Sequence, residues 1–550
     1  MLRVVLFSGV INLLTLSGSI YMLQVYDRVI PSRDAGTLVE LSLIVLLAYL
    51  LQGYCDALRS RVLCRIAAQF DIELQEPLYR TLAALPLTGA QPADLQQPLR
   101  DLDQVRSFLS GAGPTAFMDM PWIPVFLLVL YLFHPALGLL AMLGAASIIS
   151  VTLLAERKSS AYNRQASAWL GRRALLAEAA QKNAEVIRTL GMTRRLSTKW
   201  SDLNEGALAE TVNSMDVHAN MGAFGKVLRY SLQSAMLGLG AYLVVNDQAS
   251  GGVMVASSIV MGRALAPIEV ALGTWRQLLA ARTALSRMAV SLAPFAIPKA
   301  QSRTRSRPSR NLSIHALAVG APGTSRPIVS GVSFNLEAGT GLALIGPSGS
   351  GKSTLVRGLT GLWPIMAGGI SLDGTQLGEW DADALGRHLG YLPQDAGLFE
   401  GTIAENIGRF DPEASPPDVI EAARIAGAHQ LIQGLEAGYH TLVGHGGSTL
   451  SAGQRQRIGL ARAVYGNPFL VVLDEPNANL DAEGEAALAQ AILTLKQRGS
   501  AVVVVSHRPS ALDVLDRIMV LVAGRMVALG TRAEVEAALL ADRHGLRAVA

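Results

Sequence analysis

Six apolar stretches in the first half of the chain place the strongest limit on its fold. Residues 4–23 carry no charge, and about twenty such residues suffice to cross a hydrocarbon layer of ~30 Å as a helix. Lipid offers the backbone no hydrogen-bond partners, so a spanning segment must satisfy its own N–H and C=O groups. A cleaved signal would also begin with a short basic start and an apolar run. This run exceeds a signal core, however, and no small-x-small site precedes Tyr26-Asp27-Arg28. Further apolar stretches cover residues 38–54, 116–133, 136–154, 222–245 and 252–272; His134-Pro135 separates the middle pair, and residues 246–251 join the last pair. Charged residues make up only 16% of the chain, against about 25% in an average soluble protein. A net charge of +4 gives no argument for nucleic acid.

Two long connections, residues 55–115 and 155–221, hold sixteen Lys and Arg, whereas the short loops hold only Arg28 and Arg33. The positive-inside bias therefore predicts that the long connections and both termini are cytoplasmic. Helical apolar spacing predicts that the spans continue well beyond the bilayer. Breaks fall at residues 86–98, with Gly89, Pro92 and Pro98, and at Gly191. They are either turning points that touch a cytoplasmic partner or ordinary loop punctuation, and spacing leaves both open. Cys55 and Cys64 offer neither a disulfide framework nor a paired metal motif.

Intramembrane charge is sparse, and a guanidinium facing lipid at mid-depth costs about 2.5–3.5 kcal/mol even on insertion scales. Arg229 and Arg263 lie roughly 24 and 18 Å from their shared short loop at 1.5 Å per residue. They are expected to line one cationic cavity, with Arg263 pairing with Glu269 or bonding carbonyls freed by Pro267 as the structural alternative. Lys226 can snorkel to the interface, and Pro267 is expected to kink the last span. Lys299, Arg303, Arg305, Arg307 and Arg310 among Ser and Thr mark a basic linker at residues 299–311. That divides the chain into a membrane domain, 1–298, and a second domain, 312–550.

The second domain changes to short apolar strands alternating with helices, an α/β pattern. Gly346-Pro347-Ser348-Gly349-Ser350-Gly351-Lys352-Ser353-Thr354 fits G-x-x-x-x-G-K-[ST], between an apolar run that reads as a strand and a stretch that reads as a helix. Glycines in such a loop turn successive N–H groups onto a phosphate at a helix N-terminus. Lys352 then reaches the β and γ phosphates of ATP and Ser353 holds Mg²⁺. A buried strand, Leu470-Val471-Val472-Leu473, ends in Asp474 and Glu475. Asp474 is placed to bind Mg²⁺ and Glu475 to polarise the attacking water. Another strand ends at Ser506-His507, where the imidazole can reach the γ-phosphate.

Leu450-Ser451-Ala452-Gly453-Gln454 resembles the signature of ATP-binding-cassette proteins. The resemblance implies that Gln394, in Tyr391-Leu392-Pro393-Gln394, contacts Mg²⁺ and the membrane part, and that Asp481 lies in the loop between two sites. It implies that Ser451, Gly453 and Gln454 of one copy close on ATP held by another. Six spans with one cassette thus look like half of a homodimer, an α-helical exporter domain of six transmembrane helices with long cytoplasmic extensions fused to an α/β phosphate-loop domain. Residues 398–407 resemble the exporter form of the cassette, and Asn477-Ala478-Asn479 after the acids is similar to the type I secretion exporters for proteases, lipases and S-layer proteins. Residues 21–29, 119–124 and 263–269 are similar to that group's membrane segments.

That family implies an inner-membrane ATPase exporting an unfolded polypeptide with an uncleaved C-terminal signal, with a periplasmic adaptor and an outer-membrane channel as partners. It also implies that the breaks near residues 86–98 and 186–195 are coupling helices. Lipid or drug export is the rival, with a non-transporting ATP-gated sensor the rival of another class. Three departures stand out. No aromatic precedes the first core strand to stack on adenine, His445 stands where many exporters have Glu, and no protease-like domain precedes the first span, which implies no leader cleavage.

Overall fold

The first apolar run folds as α1 (Leu2–Thr15) and α2 (Ser17–Gln24), followed by one π-helical turn at Val25–Val29 and the short α3 (Ile30–Ser32). The computed structural model describes residues 2–89, 97–296, 306–506, 508 and 512–538. It divides into two units, Met1–Pro86 with Ala90–Ile297, and Leu87–Gly89 with Pro298–Ala550. Of the expected linker, residues 299–305 lie outside the described residues.

In the helical unit, α4 (Ala35–Ala84) runs for 50 residues, α8 (Pro135–Lys182) for 48 and α10 (Thr193–Val245) for 53. At 1.5 Å per residue each is more than about 70 Å long, well over twice the hydrocarbon thickness. Between them lie α5 (Gln97–Ser110), α6 (Gly113–Asp119), α7 (Ile123–Phe133) and the short α9 (Ala184–Thr189); α11 (Gly251–Gly273) and α12 (Trp275–Ala296) follow. His134 is extended, as a residue before proline prefers; its Nδ1 accepts from the Ala136 N–H and Pro135 opens α8. The first break is a 3₁₀ turn at Leu85–Thr88 ending at Gly89 (φ 78°), and residues 90–96, with Pro92, lie outside the described residues. The second is α9 followed by Gly191 (φ 64°).

Five helical stretches, rather than six, are long and apolar enough to span by length and composition among the described residues. The remaining expected span, 222–245, is helical as the end of α10, but Lys226, Arg229 and Gln233 lower its hydropathy. It packs against α8 and α11 through Met236 and Leu243, both buried with Phe126, Leu130, Leu137, Met261 and Leu265. Conversely, only 6% of the apolar window of α4 is buried within the protein. Leu43, Ile44, Leu47 and Leu50 are exposed in this chain, an apolar face suited to lipid or a packed neighbour rather than to water.

Two of the polar ties across this unit join residues far apart in the chain. Arg59 of α4, 7% exposed, donates to Ser8 Oγ (2.9 Å), to both Asp119 oxygens (3.0 and 3.1 Å) and to Asp56 (2.7 Å), and Asn12 also donates to Asp119 (2.8 Å). At the short-loop end, Asp27 accepts from Ser250 Oγ (2.6 Å) and from the Gly252 N–H (2.8 Å), capping α11 from 225 residues away. A Cβ at Gly252 would lie 2.6 Å from Asp27 Oδ2, so the cap needs glycine there.

The second unit holds two main sheets. β1 (Asn311–Val319), β2 (Val329–Glu337), β4 (Ile365–Leu372) and β5 (Thr375–Gln376) form an antiparallel sheet in the order β2-β1-β4-β5. The larger sheet, β12-β11-β3-β10-β9-β6, is parallel apart from its edge strand β12. Its strands are β3 (Gly341–Ile345), β6 (Leu389–Leu392), β9 (Leu470–Asp474), β10 (Ala501–Val505), β11 (Arg517–Val522) and β12 (Arg525–Gly530). Central strands β9 and β10 are buried at every residue, which is why they read as continuous apolar runs. A hairpin, β7 (Gly401–Thr402) with β8 (Leu442–Val443), and helices α13 (Lys352–Leu359), α14 (Ala382–His388), α15 (Ile403–Ile407), α16 (Pro416–Ile425), α17 (His429–Gln433), α18 (Ala452–Val464) and α19 (Ala482–Gln497) complete it. The exporter-like stretch 398–407 is fixed by Asn406, fully buried, which donates to the carbonyls of Phe399 and Thr402 and accepts from the Phe399 N–H.

Asp373 anchors the start of this unit. Its carboxylate accepts from the N–H groups of Ser309, Arg310 and Asn311 at 2.7–2.9 Å. Burial alone would raise its pKa, but these three donors and the Arg310 charge hold it below the ordinary value. A lowered folded-state pKa gives stability that is present above the unfolded value and lost as pH falls through the folded one. Asp373→Asn is therefore expected to lower the unfolding midpoint of this unit at neutral pH, and the gap should close in acid. Because the group is exposed, the loss is expected to stay within about 1 kcal/mol; thermal unfolding at a series of pH values checks it.

Candidate functional site

The parallel sheet brings the sequence motifs to one edge. β10 lies between β3 and β9, and Val505 pairs with both Leu344 and Asp474. The strand ends are thus level, and the loop after β3 faces the acids two strands away. Ligands bind outside the carboxyl ends of such strands.

Three glycines give the 346–354 loop its form, with φ of 153° at Gly346, 77° at Gly349 and 99° at Gly351. A Cβ at Gly346 would stand 2.1 Å from the Leu521 carbonyl oxygen, and one at Gly351 would press on Val329. The Lys352 ammonium, on a side chain nearly buried, donates to the carbonyls of Gly346 (2.8 Å) and Pro347 (2.9 Å). Its third proton is unspent. Ser350 is buried and its Oγ has no partner, a condition that native interiors rarely tolerate. An orphaned hydroxyl, a spare ammonium proton and the N-terminus of α13 make a donor set that fits nucleotide phosphates.

Asp474 closes β9 and is 5% exposed. Burial pushes its carboxyl up, the Ser353 hydroxyl beside it opposes, the Glu475 charge adds to the rise, and Arg357 and Lys352 oppose it. A buried carboxylate next to a serine hydroxyl suits a divalent cation. Glu475 has φ 50°, a left-handed conformation that costs a non-glycine residue of order 1–3 kcal/mol and recurs at functional sites. Its N–H is held by the Val505 carbonyl, and its Oε2 accepts from Gln394 Nε2 at 2.9 Å. The structure thus joins Gln394 to Glu475.

Ser451 caps α18 in a reciprocal box with Gln454: its Oγ accepts from the Gln454 N–H and its own N–H donates to Gln454 Oε1. Ser451 is exposed, and no hydrogen bond among the described residues ties Ser451, Gly453 or Gln454 to the phosphate loop of the same chain. Asp481 caps α19 through the Gly484 N–H (2.8 Å) and pairs with Arg457 (2.8 Å). Those bonds hold its carboxyl below the ordinary range. His507 and the side chain of His445 lie outside the described residues.

Two further residues join the site, Gln456, which no sequence motif marks, and Asn477 of the stretch that follows the acids. Gln456, 2% exposed, donates to the Pro476 carbonyl (3.1 Å), linking the signature helix to the turn after Glu475. Asn477 is buried with an unpartnered Nδ2. No local signal marks Gln456, because its partner lies 20 residues on.

Among the described residues Arg229 and Arg263 line two different cavities rather than the expected joint one. Arg229 pairs with Glu269 at 3.0 Å and lines one cavity of about 390 Å³ with Lys226. Arg263 lines another, of about 520 Å³, with Asp56, Arg59 and Asp119. The alternative pairing of Arg263 with Glu269 is also not made.

A phosphate loop and a paired-acid strand end on one parallel sheet, in a chain that also carries membrane-long helices, define an ATP-hydrolysing transporter of the ABC exporter class. Residues 1–265 match the family model for the ABC transporter transmembrane region, and residues 329–478 match that for the ABC transporter. The fold is similar to a solved bacterial Atm1-family ABC exporter with ATP bound, at a TM-score of 0.84 and 22% identity over 100% of this chain and 97% of that one. The chain belongs to the type I secretion system ATP-binding proteins of the ABC family. It is 47% identical to PrsD of Rhizobium meliloti, a type I secretion system ATP-binding protein, over 96% of this chain and 90% of that one. It is 28% identical to the alpha-hemolysin translocation ATP-binding protein HlyB of Escherichia coli, over 96% and 74%. With PaxB of Pasteurella aerogenes, an exotoxin translocation ATP-binding protein, the identity is 29% over 99% and 76%.

Proposed function

We propose that this ATP-driven protein exporter works as a homodimer in a bacterial inner membrane. It moves an unfolded polypeptide with an uncleaved C-terminal signal toward a periplasmic adaptor and an outer-membrane channel. The likeness to PrsD over nearly the whole chain carries this reading. The exposed signature start supports the dimer: Ser451 and Gly453 have no role toward their own phosphate loop and are free to close on a second copy's nucleotide. The breaks near residues 86–98 and 186–195, which the 3₁₀ turn Leu85–Thr88 enters and α9 overlaps, are the coupling helices of each protomer.

In this reading Gly346–Thr354 wraps the phosphates, with Lys352 exchanging loop carbonyls for phosphate oxygens. Ser353, Asp474 and Gln394 hold Mg²⁺, which when bound neutralises charge developing on the phosphates. Glu475 accepts a proton from the attacking water, Gln394 orients Glu475, and His507 contacts the γ-phosphate. Asp481, through Arg457, steadies the signature helix.

Lys352→Ala is expected to weaken nucleotide binding by about ten- to a hundredfold, the worth of charge-assisted hydrogen bonds of about 1.5–3 kcal/mol; fluorescent-nucleotide titration of the purified protein checks it. In the living cell the same variant should remove particular polypeptides from the culture medium. An unchanged set of secreted proteins would overturn the export reading. One observation favours a second reading, export of an amphiphile: an apolar cavity of about 780 Å³ bordered by Met120, Ile123, Leu127, Ile149, Leu153 and Trp275. A membrane lipid change in the Lys352→Ala strain, with secretion intact, is the result that would support it.

A further inference from the structure

We infer that the cavity around Arg263 is a main-chain binding site, which holds an extended polypeptide by its backbone amides and carbonyls whatever its side chains. The inference rests on the polypeptide-export reading above and names the chemistry by which this chain grips its cargo. Arg263 lies within the span Gly251–Ala271, about 18 Å along α11 from its start. It is exposed to the cavity of about 520 Å³, whose other polar walls include Asn12, Gln52, Asp56, Arg59 and Asp119, with Thr15, Tyr49 and Thr115 beside them. Among the described residues Arg263 has no ion pair and no hydrogen bond, so its five donors are unspent. Such a group inside a membrane span marks a functional site by default.

The acceptor side is as open as the donor side. Asp56 gives one oxygen to Arg59, but its side chain is 54% exposed and its other oxygen has no partner. Gln52 donates to Thr15 Oγ1, which leaves its carbonyl oxygen free. Asp119 is spent on Arg59 and Asn12. Arg59 is nearly buried and its Nε has no partner at all. Two acids and two guanidiniums leave the cavity with no net charge, so it has no preference for an anion or a cation as such. What it offers is free donors and free acceptors around a space of about 520 Å³. An unfolded segment brings the complement, one N–H and one C=O per residue, which must be satisfied once water is left behind. A carrier that recognises those groups passes any sequence.

The test uses the full-length protein in lipid nanodiscs and fluorescent unstructured peptides of Gly, Ser and Ala. Three probes are compared: one with added Asp, one with added Lys, and one methylated on alternate backbone nitrogens. The expected result is that the acidic and basic peptides bind alike and the methylated one binds about tenfold more weakly. Arg263→Gln and Asp56→Asn should each weaken binding about tenfold, as loss of a charge-assisted hydrogen bond does. Arg263→Lys should restore part of it, and Arg229→Gln should bind as the wild type. Thermal unfolding of each variant identifies a fold defect, and the methylated peptide on the wild type tests the site without any variant. Strong preference for the acidic peptide would overturn the main-chain reading, as would binding unaffected by Arg263→Gln or by methylation. Wild-type protein that binds none of the peptides would also overturn the main-chain reading, whereas the polypeptide-export reading beneath it falls only if the Lys352→Ala strain secretes an unchanged set of proteins.

Discussion

Glu475→Gln is expected to cut ATP turnover by about 10²–10⁴-fold, the usual worth of a positioned general base, while nucleotide affinity stays within about twofold of wild type. The substitution is close to isosteric. A glutamine carbonyl can still accept from Gln394 Nε2, the bond that Glu475 Oε2 makes at 2.9 Å, and the left-handed backbone at this position is strained equally for either residue. What is lost is the charge that takes a proton from water. Lys352, Ser350 and Asp474 keep their places, so ATP still binds and a two-copy closed state accumulates. Single-turnover hydrolysis, nucleotide titration and the mass of the ATP-bound assembly check the three parts. Turnover near wild type would remove Glu475 from that role.

Arg59→Met is expected to be the most damaging change in the helical unit, lowering its stability by about 3–5 kcal/mol. Asp119, with only 18% of its side chain exposed, would lose its cationic partner and keep a single donor from Asn12. The loss comes from stranding the charge, since a buried pair often breaks even against an apolar replacement of both partners. Arg59→Met with Asp119→Leu should therefore recover most of the stability that Arg59→Met loses. Thermal unfolding in detergent, followed across both variants and Asp119→Leu alone, measures the coupling. Equal destabilisation by the single and the double change would show that Arg59 acts through packing alone.

What the sequence made legible was local. The phosphate loop could be read because its glycines are demanded by backbone geometry within nine residues, and the Asp474-Glu475 end because β9 is buried on both faces. The long helices followed from uninterrupted apolar spacing. Pairings between distant segments left no such mark: Asp27 with Gly252, or Arg59 with Asp119, depend on which helix faces meet. The expected Arg229–Arg263 cavity failed for a related reason, since similar depth does not fix which way two helices face. Arg229 lies 17 residues before Asn246 and Glu269 lies 18 after Gly251, so counting from the shared loop places those two opposite each other. Arg263 and Glu269, six apart on one helix, point about 120° away from each other. The missing sixth span by hydropathy has the same origin, because charges that face protein still lower the average.

The Asp27 cap at the short-loop end gains meaning from the length of the rods beside it. A helix of 50 residues is a lever about 75 Å long, and a turn of about 10° at one end sweeps the other through about 13 Å. A fulcrum made of two short hydrogen bonds to one carboxylate can hold that end still at little cost in strain. A small rotation at that end would carry a rigid α4 through a large stroke at its far end near residue 84, with no bend in the helix.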